Sequence, residues 1–551
     1  MLLLLQTFLI SLKYNLTALL VIMGIPSYFK HVIQEYRSII RKYEKSLRID
    51  NLYLDSNSII YDAIRSDSVK GKKDIESAIL KEVVDKIAFY IKTIAPKNKV
   101  LIAFDGVAPA AKLAQQKTRR YKGQIEKNCH ESMGIVTEKL WDTTAITPGT
   151  AFMEKLSVFL TKSFNKPSKY GVSEIIVSPP NEPGEGEHKI FEYIRQNKDY
   201  HQSSKTAIYG LDADLLMLTL NHLRCADQLY LFRETPHFIK TIDSTLEPEK
   251  NYLIDMPAMA KAITSDLNDG NDIKNESQVQ RMYDYIFICF FLGNDFLPHF
   301  PALNIRTDGI TRITSAYKQT LSKVGNIINN QKIVWKNMRY LIKILADNEQ
   351  EYLQEEHNIR DKQQHAARYG RPGEDPRVQA LLNLPITDRK KEIYINPAED
   401  GWEERYYTML FKSRRCDQLC KDVSLNYLEG LEWTLKYYTT GCPDWRWMYR
   451  YDYPPLLTDL LNYVPYFDVE FIAHSDSGPV SSLVQLSYVL PPACFYLLPK
   501  KIERTLLKNH SEWYDMSKVN IEYSYCRYFW EGHIESPHIN LDELVKAIEV
   551  V

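Results

Sequence analysis

The chain has 551 residues, of which 44% are hydrophobic and 25% charged, and its formal net charge is −1. This composition is typical of a globular protein with a large core, and the length allows several domains. Because the net charge is close to zero, the composition excludes a global field that draws the chain to nucleic acid or membrane. Any polyanion binding therefore requires a local patch of cations.

The first 22 residues are almost entirely apolar, in the run MLLLLQTFLISLKYNLTALLVI. A signal sequence is disfavoured because a basic start and a small-residue cleavage site are missing. A membrane span is disfavoured because Gln6, Lys13 and Asn15 interrupt the run. We therefore interpret residues 1–22 as an N-terminal extension outside the fold, with the working start at Met23.

Residues 51–235 alternate between short apolar runs and amphipathic runs. The helix candidate is residues 75–94, whose apolar positions repeat with helical spacing. The strand candidates are NLYLD (51–55), KVLIAFD (99–105), SEIIVS (173–178), KTAIYG (205–210) and QLYLFR (228–233). Short apolar strands that alternate with helices predict an α/β fold, with a mostly parallel central sheet flanked by helices on both faces.

The later part of the chain has a different composition. Residues 346–400 are highly charged and contain the run GRPGEDP, which predicts a helical extension followed by an irregular linker. Residues 401–551 are rich in aromatic residues and predict a mixed α+β second segment that packs on the first. The predicted organisation is thus the extension 1–22, the α/β segment 23–345, the extension and linker 346–400 and the second segment 401–551.

Eight cysteines are present, and Cys416 and Cys420 are the one closely spaced pair. No second Cys/His pair has zinc spacing. The pattern favours reduced thiols in a cytosolic protein over a disulfide or zinc framework.

Carboxylates follow four of the predicted strands. In an open parallel sheet these positions meet at one edge, outside the carboxyl ends of the strands, where function resides. A further carboxylate follows the apolar run YDYIFICFFLGND. The candidate residues are Asp55, Asp105, Glu185, Glu187, Asp212, Asp214 and Asp295.

Each of these acids by itself is explained as a turn former or a helix cap. Glu185 and Glu187, for example, come just before an apolar-periodic run, where a helix begins. That explanation weakens for a cluster, because gathered carboxylates repel and raise one another's pKa. Divalent cations make such a cluster tolerable, and Mg²⁺ prefers hard oxygen ligands. Two such ions about 3.5–4 Å apart activate water and stabilise a leaving oxygen in phosphodiester cleavage.

A basic stripe is predicted shortly after Asp105. In the run GVAPAAKLAQQKTRRYK, helical spacing brings four side chains to one face, spread over about 80–100°. They are Lys112, Gln116, Arg119 and Arg120. A solvated basic helix face explains the stripe equally well by itself. Beside a carboxylate cluster it predicts a phosphate pocket, since Arg forks and a Lys charge both suit terminal phosphate oxygens.

The same residues carry a resemblance to the XRN-type 5′→3′ exoribonucleases. The similarity extends from Met23 to the end of the chain, through long, ordered and specific motifs. In the first segment they are MGIPSYFK (23–30), LYLDSNSIIYD (52–62), FDGVAPAAKLAQQKTRRYK (104–122), ITPGTAFM (146–153), PGEGEHKI (183–190), YGLDADLLML (209–218) and FLGNDFLPHF (291–300). In the second they are YLEGLEWTLKYYTTGCPDWRWMYRYDYPP (427–455), LVQLSYVLPP (483–492) and FWEGHI (529–534).

The resemblance implies a PIN/flap-nuclease-like core and a processive hydrolase. Its implied substrate is single-stranded RNA with a 5′-monophosphate, degraded to 5′-mononucleotides in RNA decay. By position, all seven acids correspond to metal-binding catalytic residues for two Mg²⁺ ions, with Mn²⁺ as a substitute. Lys112, Gln116, Arg119 and Arg120 correspond to the 5′-phosphate pocket. The second segment is expected to complete the active-site pocket.

Two aromatic residues are expected to stack on the first bases of the RNA. Tyr61 occupies a position where the family usually has His, and it retains a ring on which a base can stack. An ordinary packed tyrosine is the competing interpretation. In the second segment, the resemblance points to Trp445 first and to Trp447 second.

The remaining expectations concern the setting of the protein. We expect the protein to be a monomer without a membrane partner, located in the cytoplasm or alternatively in the nucleus. A decapping or triphosphate-removing enzyme is expected to act upstream of it. Two alternatives stay open: a flap-type, structure-specific DNA nuclease, and a catalytically inactive RNA-binding protein. The presence of all seven acids disfavours the second alternative.

Overall fold

The computed structural model describes residues 28–135, 141–210, 212–234, 245–247, 250–270, 275–367 and 375–550. The predicted extension 1–22 and the start of the first family motif, up to residue 27, lie outside the described residues. Within the described part of the chain, no helix combines the length and apolarity that crossing a bilayer requires.

A seven-stranded sheet forms the centre of the first segment. Its strand order is β1-β7-β6-β5-β2-β3-β4, and the five strands from β6 to β4 are parallel. The strands are β1 (Ile40–Lys42), β2 (Asn51–Asp55), β3 (Lys99–Ala103), β4 (Glu174–Ser178), β5 (Lys205–Tyr209), β6 (Gln228–Glu234) and β7 (Asn251–Asp255). The prediction of a mostly parallel α/β sheet is confirmed, and all five predicted strands are present.

Both faces of this sheet are buried, as its apolar strands predict. Leu52 and Leu54 of β2 pack into the cluster on one face, whereas Tyr53 packs into the cluster on the other. The helices of this segment are α1 (Tyr28–Glu35), α2 (Asn57–Arg65), α3 (Ile75–Ile94), α4 (Ala110–Ser132), α5 (Ala151–Ser163), α6 (Gly186–Gln196), α7 (Lys198–Gln202), α8 (Ala213–His222), α9 (Met256–Leu267) and α10 (Asn275–Cys289).

Helix α3 has the bounds that the sequence pattern predicts. It begins after Asp74, whose side chain accepts a hydrogen bond from the Ser77 N–H at 3.1 Å. It ends at Ala95, which adopts a left-handed conformation with φ of 50°.

The rest of the described chain is largely helical. The helices are α11 (Gly309–Val324), α12 (Trp335–Asp347), α13 (Glu349–Ala367), α14 (Pro376–Leu382), α15 (Leu384–Thr387), α16 (Lys390–Ile395), α17 (Trp402–Leu410), α18 (Asp417–Thr439), α19 (Leu457–Tyr463), α20 (Ser482–Val489), α21 (Lys500–Asn509) and α22 (Leu541–Glu549). Two small antiparallel ribbons pair β8 (Ile328–Asn329) with β9 (Lys332–Ile333) and β10 (Asn520–Glu522) with β11 (His533–Glu535).

The segment after residue 374 differs from the predicted irregular linker, because it forms the short helices α14, α15 and α16. Asp375 starts the first of them by accepting a hydrogen bond from the Arg377 N–H at 2.8 Å, and Pro376 suits the first helical position. Glu392 of α16 then pairs with the buried Arg360 at 2.6 Å. A long-range ion pair therefore orders a segment whose local composition is typical of a loop.

Candidate active site

Six of the seven predicted acids lie at the carboxyl ends of the parallel strands, whereas Asp295 follows α10. We call the seven residues Asp55, Asp105, Glu185, Glu187, Asp212, Asp214 and Asp295 the acid cluster. Asp55 is the last residue of β2, and Asp105 follows β3 by two residues. The glutamates stand at the start of α6, after β4, and Asp212 and Asp214 stand at the start of α8, after β5. Since β5, β2, β3 and β4 are neighbours in this order, the strand ends share one edge.

Three members of the acid cluster can serve one cation. One carboxylate oxygen from each of Asp55, Glu187 and Asp212 lies within 4.8 Å of the other two. Asp55 Oδ1 is buried and has no hydrogen-bond partner among the described residues. An unpartnered buried carboxylate oxygen is costly unless a cation or a donor reaches it. The donor set therefore fits a divalent cation that prefers oxygen ligands.

The start of α6 explains why a glycine separates the two glutamates. Glu185 occupies the N-cap position, but its side chain makes no capping hydrogen bond. A Cβ atom at Gly186 would stand 2.7 Å from Asp55 Oδ1 and 3.4 Å from Asp105 Oδ1. The Gly186 N–H instead donates to Asp105 Oδ1 at 2.7 Å. Glycine thus allows the helix start to approach two carboxylates closely.

Lys112 lies inside the acid cluster. Its Nζ is 2.5 Å from Glu185 Oε2 and 2.7 Å from Asp295 Oδ2, and all three side chains are buried. Burial by itself lowers the pKa of a lysine, but the surrounding carboxylates, led by Asp295 and Glu185, raise the pKa of Lys112 well above its usual value. The lysine therefore stays charged and partly neutralises the cluster.

The protonation of the acids reflects their crowding. Burial, followed by repulsion from neighbouring carboxylates, raises the pKa values of Asp55, Glu187 and Asp214 well above their usual range. Burial also raises the pKa of Glu185 and of Asp212. Cations at this site would stabilise the ionised forms, which are the forms that ligate metals.

The predicted phosphate-binding residues all lie on α4, as expected. Gln116 is buried, and its Oε1 has no hydrogen-bond partner among the described residues. Arg120 donates to Thr147 Oγ1, and burial lowers the pKa of its guanidinium to about 10. Arg119 is exposed. Lys112, one turn before Gln116, connects this stripe to the acid cluster.

The second segment contributes two hydroxyl groups that the sequence reasoning missed. Tyr437 donates to Glu185 Oε1 at 2.8 Å, and Tyr438 donates to Asp214 Oδ1 at 2.5 Å. His188 stacks on the Tyr437 ring, with centroids 3.7 Å apart. The tyrosines belong to a motif that carries the family resemblance, but no local pattern shows which acids they reach more than 200 residues away.

The two candidate stacking residues lie on different elements. Tyr61 is half-buried in α2, against the core on one face of the sheet. Trp445 is half-buried, and its carbonyl accepts a hydrogen bond from the Ala110 N–H at 3.0 Å, at the start of α4. Trp447, by contrast, is buried and stacks on Trp433 with ring centroids 5.2 Å apart. Its position is that of a core residue.

Fold and site together define an α/β protein with a carboxylate-rich site, suited to a divalent cation, at the carboxyl edge of a parallel sheet. Residues 23–235 match the family model described as XRN 5′-3′ exonuclease N-terminus. Residues 277–381 and 387–551 match the model described as Xrn1 helical domain. The chain belongs to the XRN 5′-3′ exonuclease family, a family of hydrolytic nucleases, and the predicted family resemblance is confirmed.

Several relatives align with nearly the whole chain. The 5′-3′ exoribonuclease 2 of Arabidopsis thaliana is 25% identical, over 95% of this chain and 67% of its own length. The 5′-3′ exoribonuclease 1 of Saccharomyces cerevisiae is 25% identical, over 96% of this chain and 43% of its own length. The human 5′-3′ exoribonuclease 1 is 26% identical, over 96% of this chain and 34% of its own length. The chain thus spans between one third and two thirds of these relatives.

A solved structure of the catalytic core of Rad2 in complex with a DNA substrate is also similar. It is 14% identical with a TM-score of 0.29, and the match covers 58% of this chain and 74% of that chain. A likeness this weak carries no information about the substrate of the present protein.

Proposed function

We propose that this protein is a processive 5′→3′ exoribonuclease that acts on single-stranded RNA with a 5′-monophosphate and releases 5′-mononucleotides. The observation that carries the proposal is the acid cluster, complete in all seven residues and continuous with the basic stripe of α4 through Lys112. Family membership and the names of the relatives support the direction and the RNA substrate.

The proposed cofactor is a pair of Mg²⁺ ions held by the acid cluster, with Mn²⁺ as a substitute. Asp55, Glu187 and Asp212 would hold one ion, since their oxygens converge. Glu185, Asp214 and Asp295 would contribute to the second. Such ions supply an activated water and stabilise the leaving 3′ oxygen.

The chain's own residues bind and orient the RNA in this proposal. Gln116, Arg119 and Arg120 receive the 5′-phosphate, because amide and guanidinium donors fit its terminal oxygens. Lys112 stands between phosphate and acids, so its charge serves both. Tyr61 and Trp445 stack on the first bases, which fixes the scissile bond against the acid cluster.

A panel of 5′ ends on one labelled RNA tests the proposal. We expect rapid cleavage of the monophosphate, slow or no cleavage of the triphosphate, cap and hydroxyl forms, and no cleavage in EDTA. Asp212→Asn is expected to abolish cleavage while RNA binding persists. Equal rates on capped and monophosphorylated RNA would disprove the phosphate pocket, and an active Asp212→Asn variant would disprove the metal site.

A flapped DNA duplex serves as the comparison substrate, and preferential cleavage of the flap would favour a structure-specific DNA nuclease instead. We further propose a monomer in the cytoplasm that acts after a decapping or triphosphate-removing enzyme. Sedimentation of the purified protein and imaging of the tagged protein test these two points.

A further inference from the structure

A cavity of about 220 Å³ adjoins the acid cluster at Asp295 and extends toward the ribbon β10–β11. Asp295 and Gln115 form one wall, and Arg306, Trp530 and His533 lie among its other lining residues. An engineered cavity of about 150 Å³ takes up benzene, so the volume here suits a molecule of two fused rings.

The cavity is lined by four residues that each have an unsatisfied polar atom. Asn294 Nδ2, Arg306 Nε, Trp530 Nε1 and Gln115 Oε1 are all buried, and none has a hydrogen-bond partner among the described residues. Buried polar groups without partners are rare in folded proteins, and four on the residues lining one cavity call for a polar occupant, either water or a ligand. Three of them are donors and one is an acceptor.

The orientations of the two amides follow from the hydrogen bonds that their other atoms make. Asn294 Oδ1 accepts from the N–H groups of Phe296 and Leu297, both at 2.9 Å, so the unsatisfied atom is the donor Nδ2. Gln115 Nε2 donates to Asp295 Oδ1 at 3.3 Å, which leaves the acceptor Oε1 unsatisfied.

The charges around the cavity are compensated, so an anion has no advantage there. Arg306 pairs with Glu531, and Asp295 pairs with Lys112. Burial lowers the pKa values of His299 and His533 to about 4, so both imidazoles are neutral at pH 7. Aromatic rings complete the lining: Trp530, and Tyr453 whose centroid is 4.6 Å from that of His533.

We propose that this cavity is a binding site for a nucleobase, with a purine preferred. A purine is flat, uncharged and two rings wide. It presents three acceptors and at least one donor, as in the N1, N3 and N7 atoms and the exocyclic amino group of adenine. That set matches three protein donors and one acceptor. The choice of a nucleobase rests in part on the proposed action on RNA, which releases nucleotides close to this wall.

Binding of adenosine to the full-length protein in EDTA tests the site without RNA cleavage. Isothermal titration is expected to show saturable binding that depends on the residues lining the cavity. Trp530→Phe removes the Nε1 donor but keeps a ring, and we expect binding to weaken about three- to tenfold, as for loss of one hydrogen bond. Arg306→Lys keeps the charge opposite Glu531 but lacks Nε, and is expected to weaken binding similarly. Trp513→Phe, on the distant stack with His510, is the matched control and is expected to bind like the original protein.

Further ligands identify the part that is recognised. Uridine is expected to bind more weakly than adenosine, and ribose 5-phosphate should not compete. A failure of adenosine to bind at millimolar concentration, or equal binding by the Trp530→Phe variant, would overturn the proposal and assign the cavity to water. Cleavage of monophosphorylated RNA, measured on the same samples, reports separately on the proposed exoribonuclease activity.

Discussion

Gly186→Ala is the sharpest perturbation of the acid cluster, because it adds one methyl group at a defined point. The new Cβ atom would stand 2.7 Å from Asp55 Oδ1, whereas ordinary van der Waals contact begins at 3.4 Å. The Asp55 carboxylate must therefore move by about 0.7 Å, the difference between these two distances. The backbone at Gly186 has no left-handed φ, so the strain comes from contacts alone, to which the Ala103 carbonyl oxygen adds at 3.3 Å from the new Cβ.

The expected effects on activity and stability differ widely. A displacement of about 1 Å in a catalytic constellation costs about 100-fold in rate, so we expect cleavage to fall about 10- to 100-fold. An off-rotamer side chain costs about 0.5–1.5 kcal/mol, while Gly→Ala in a helix gains about 0.5–1 kcal/mol. The free energy of unfolding should therefore change by less than about 1 kcal/mol.

Single-turnover cleavage of monophosphorylated RNA, titrated with Mg²⁺, measures the first effect, and urea denaturation in EDTA measures the second. Gly123→Ala is the matched control, because Gly123 is an exposed glycine of α4 with nothing within 4 Å of the added Cβ. The control should gain about 0.5–1 kcal/mol and keep full activity. Full activity of Gly186→Ala at limiting Mg²⁺ would refute the reasoning that Asp55 is held against this glycine for metal binding.

Four further predictions concern the same pocket. Tyr438→Phe leaves Asp214 without its hydroxyl donor, so urea denaturation should show a free energy of unfolding lower by about 1–3 kcal/mol. An unchanged urea midpoint would contradict a stabilising role of this hydroxyl. Lys112→Met leaves buried carboxylates uncompensated and should lower the free energy of unfolding in EDTA by about 3–5 kcal/mol. Added Mg²⁺ should raise the melting temperature of this variant more than that of the original protein, as measured by thermal shift. In EDTA, the free energy of unfolding of the original protein should fall as pH rises above about 4.5. The reason is that the raised pKa values of the acid cluster keep protons on the folded state that the unfolded chain has already lost. Calorimetry across pH should show that Mg²⁺ removes this dependence of stability on pH. Trp445→Ala should raise KM for RNA with the fold intact, whereas Trp447→Ala should cost about 3–5 kcal/mol of stability.

The strands that could be predicted are those whose own residues carry the signal. β2 to β6 are short apolar runs bounded by polar residues, and local pattern is sufficient to find them. β1 consists of Ile-Arg-Lys, mostly exposed, and it becomes a strand through antiparallel pairing with β7 about 200 residues later. Pairing at such a distance leaves no periodicity in the sequence, and β1 was therefore not predicted.

Convergence of the acids could be predicted for a similar physical reason. Parallel strands bring their carboxyl ends to one edge, so any acids placed there must meet. The contacts that tune these acids could not be predicted, because they join distant parts of the chain. Lys112 reaches Asp295 across 183 positions, and Tyr438 reaches Asp214 across 224. Side-chain packing, rather than strand order, decides which partner each acid obtains.

The partners that the acids do obtain differ in kind, and the difference bears on cation binding. Lys112 adds positive charge next to Glu185 and Asp295, and thereby competes with a cation for the same oxygens. Tyr437 and Tyr438 add no charge, and each hydroxyl engages one oxygen of a carboxylate that has two. Neutral donors therefore orient the acids without satisfying their charge. A site of seven carboxylates with one lysine is undercompensated, and a bound cation would lower the free-energy cost of burying these acids at the edge of the sheet.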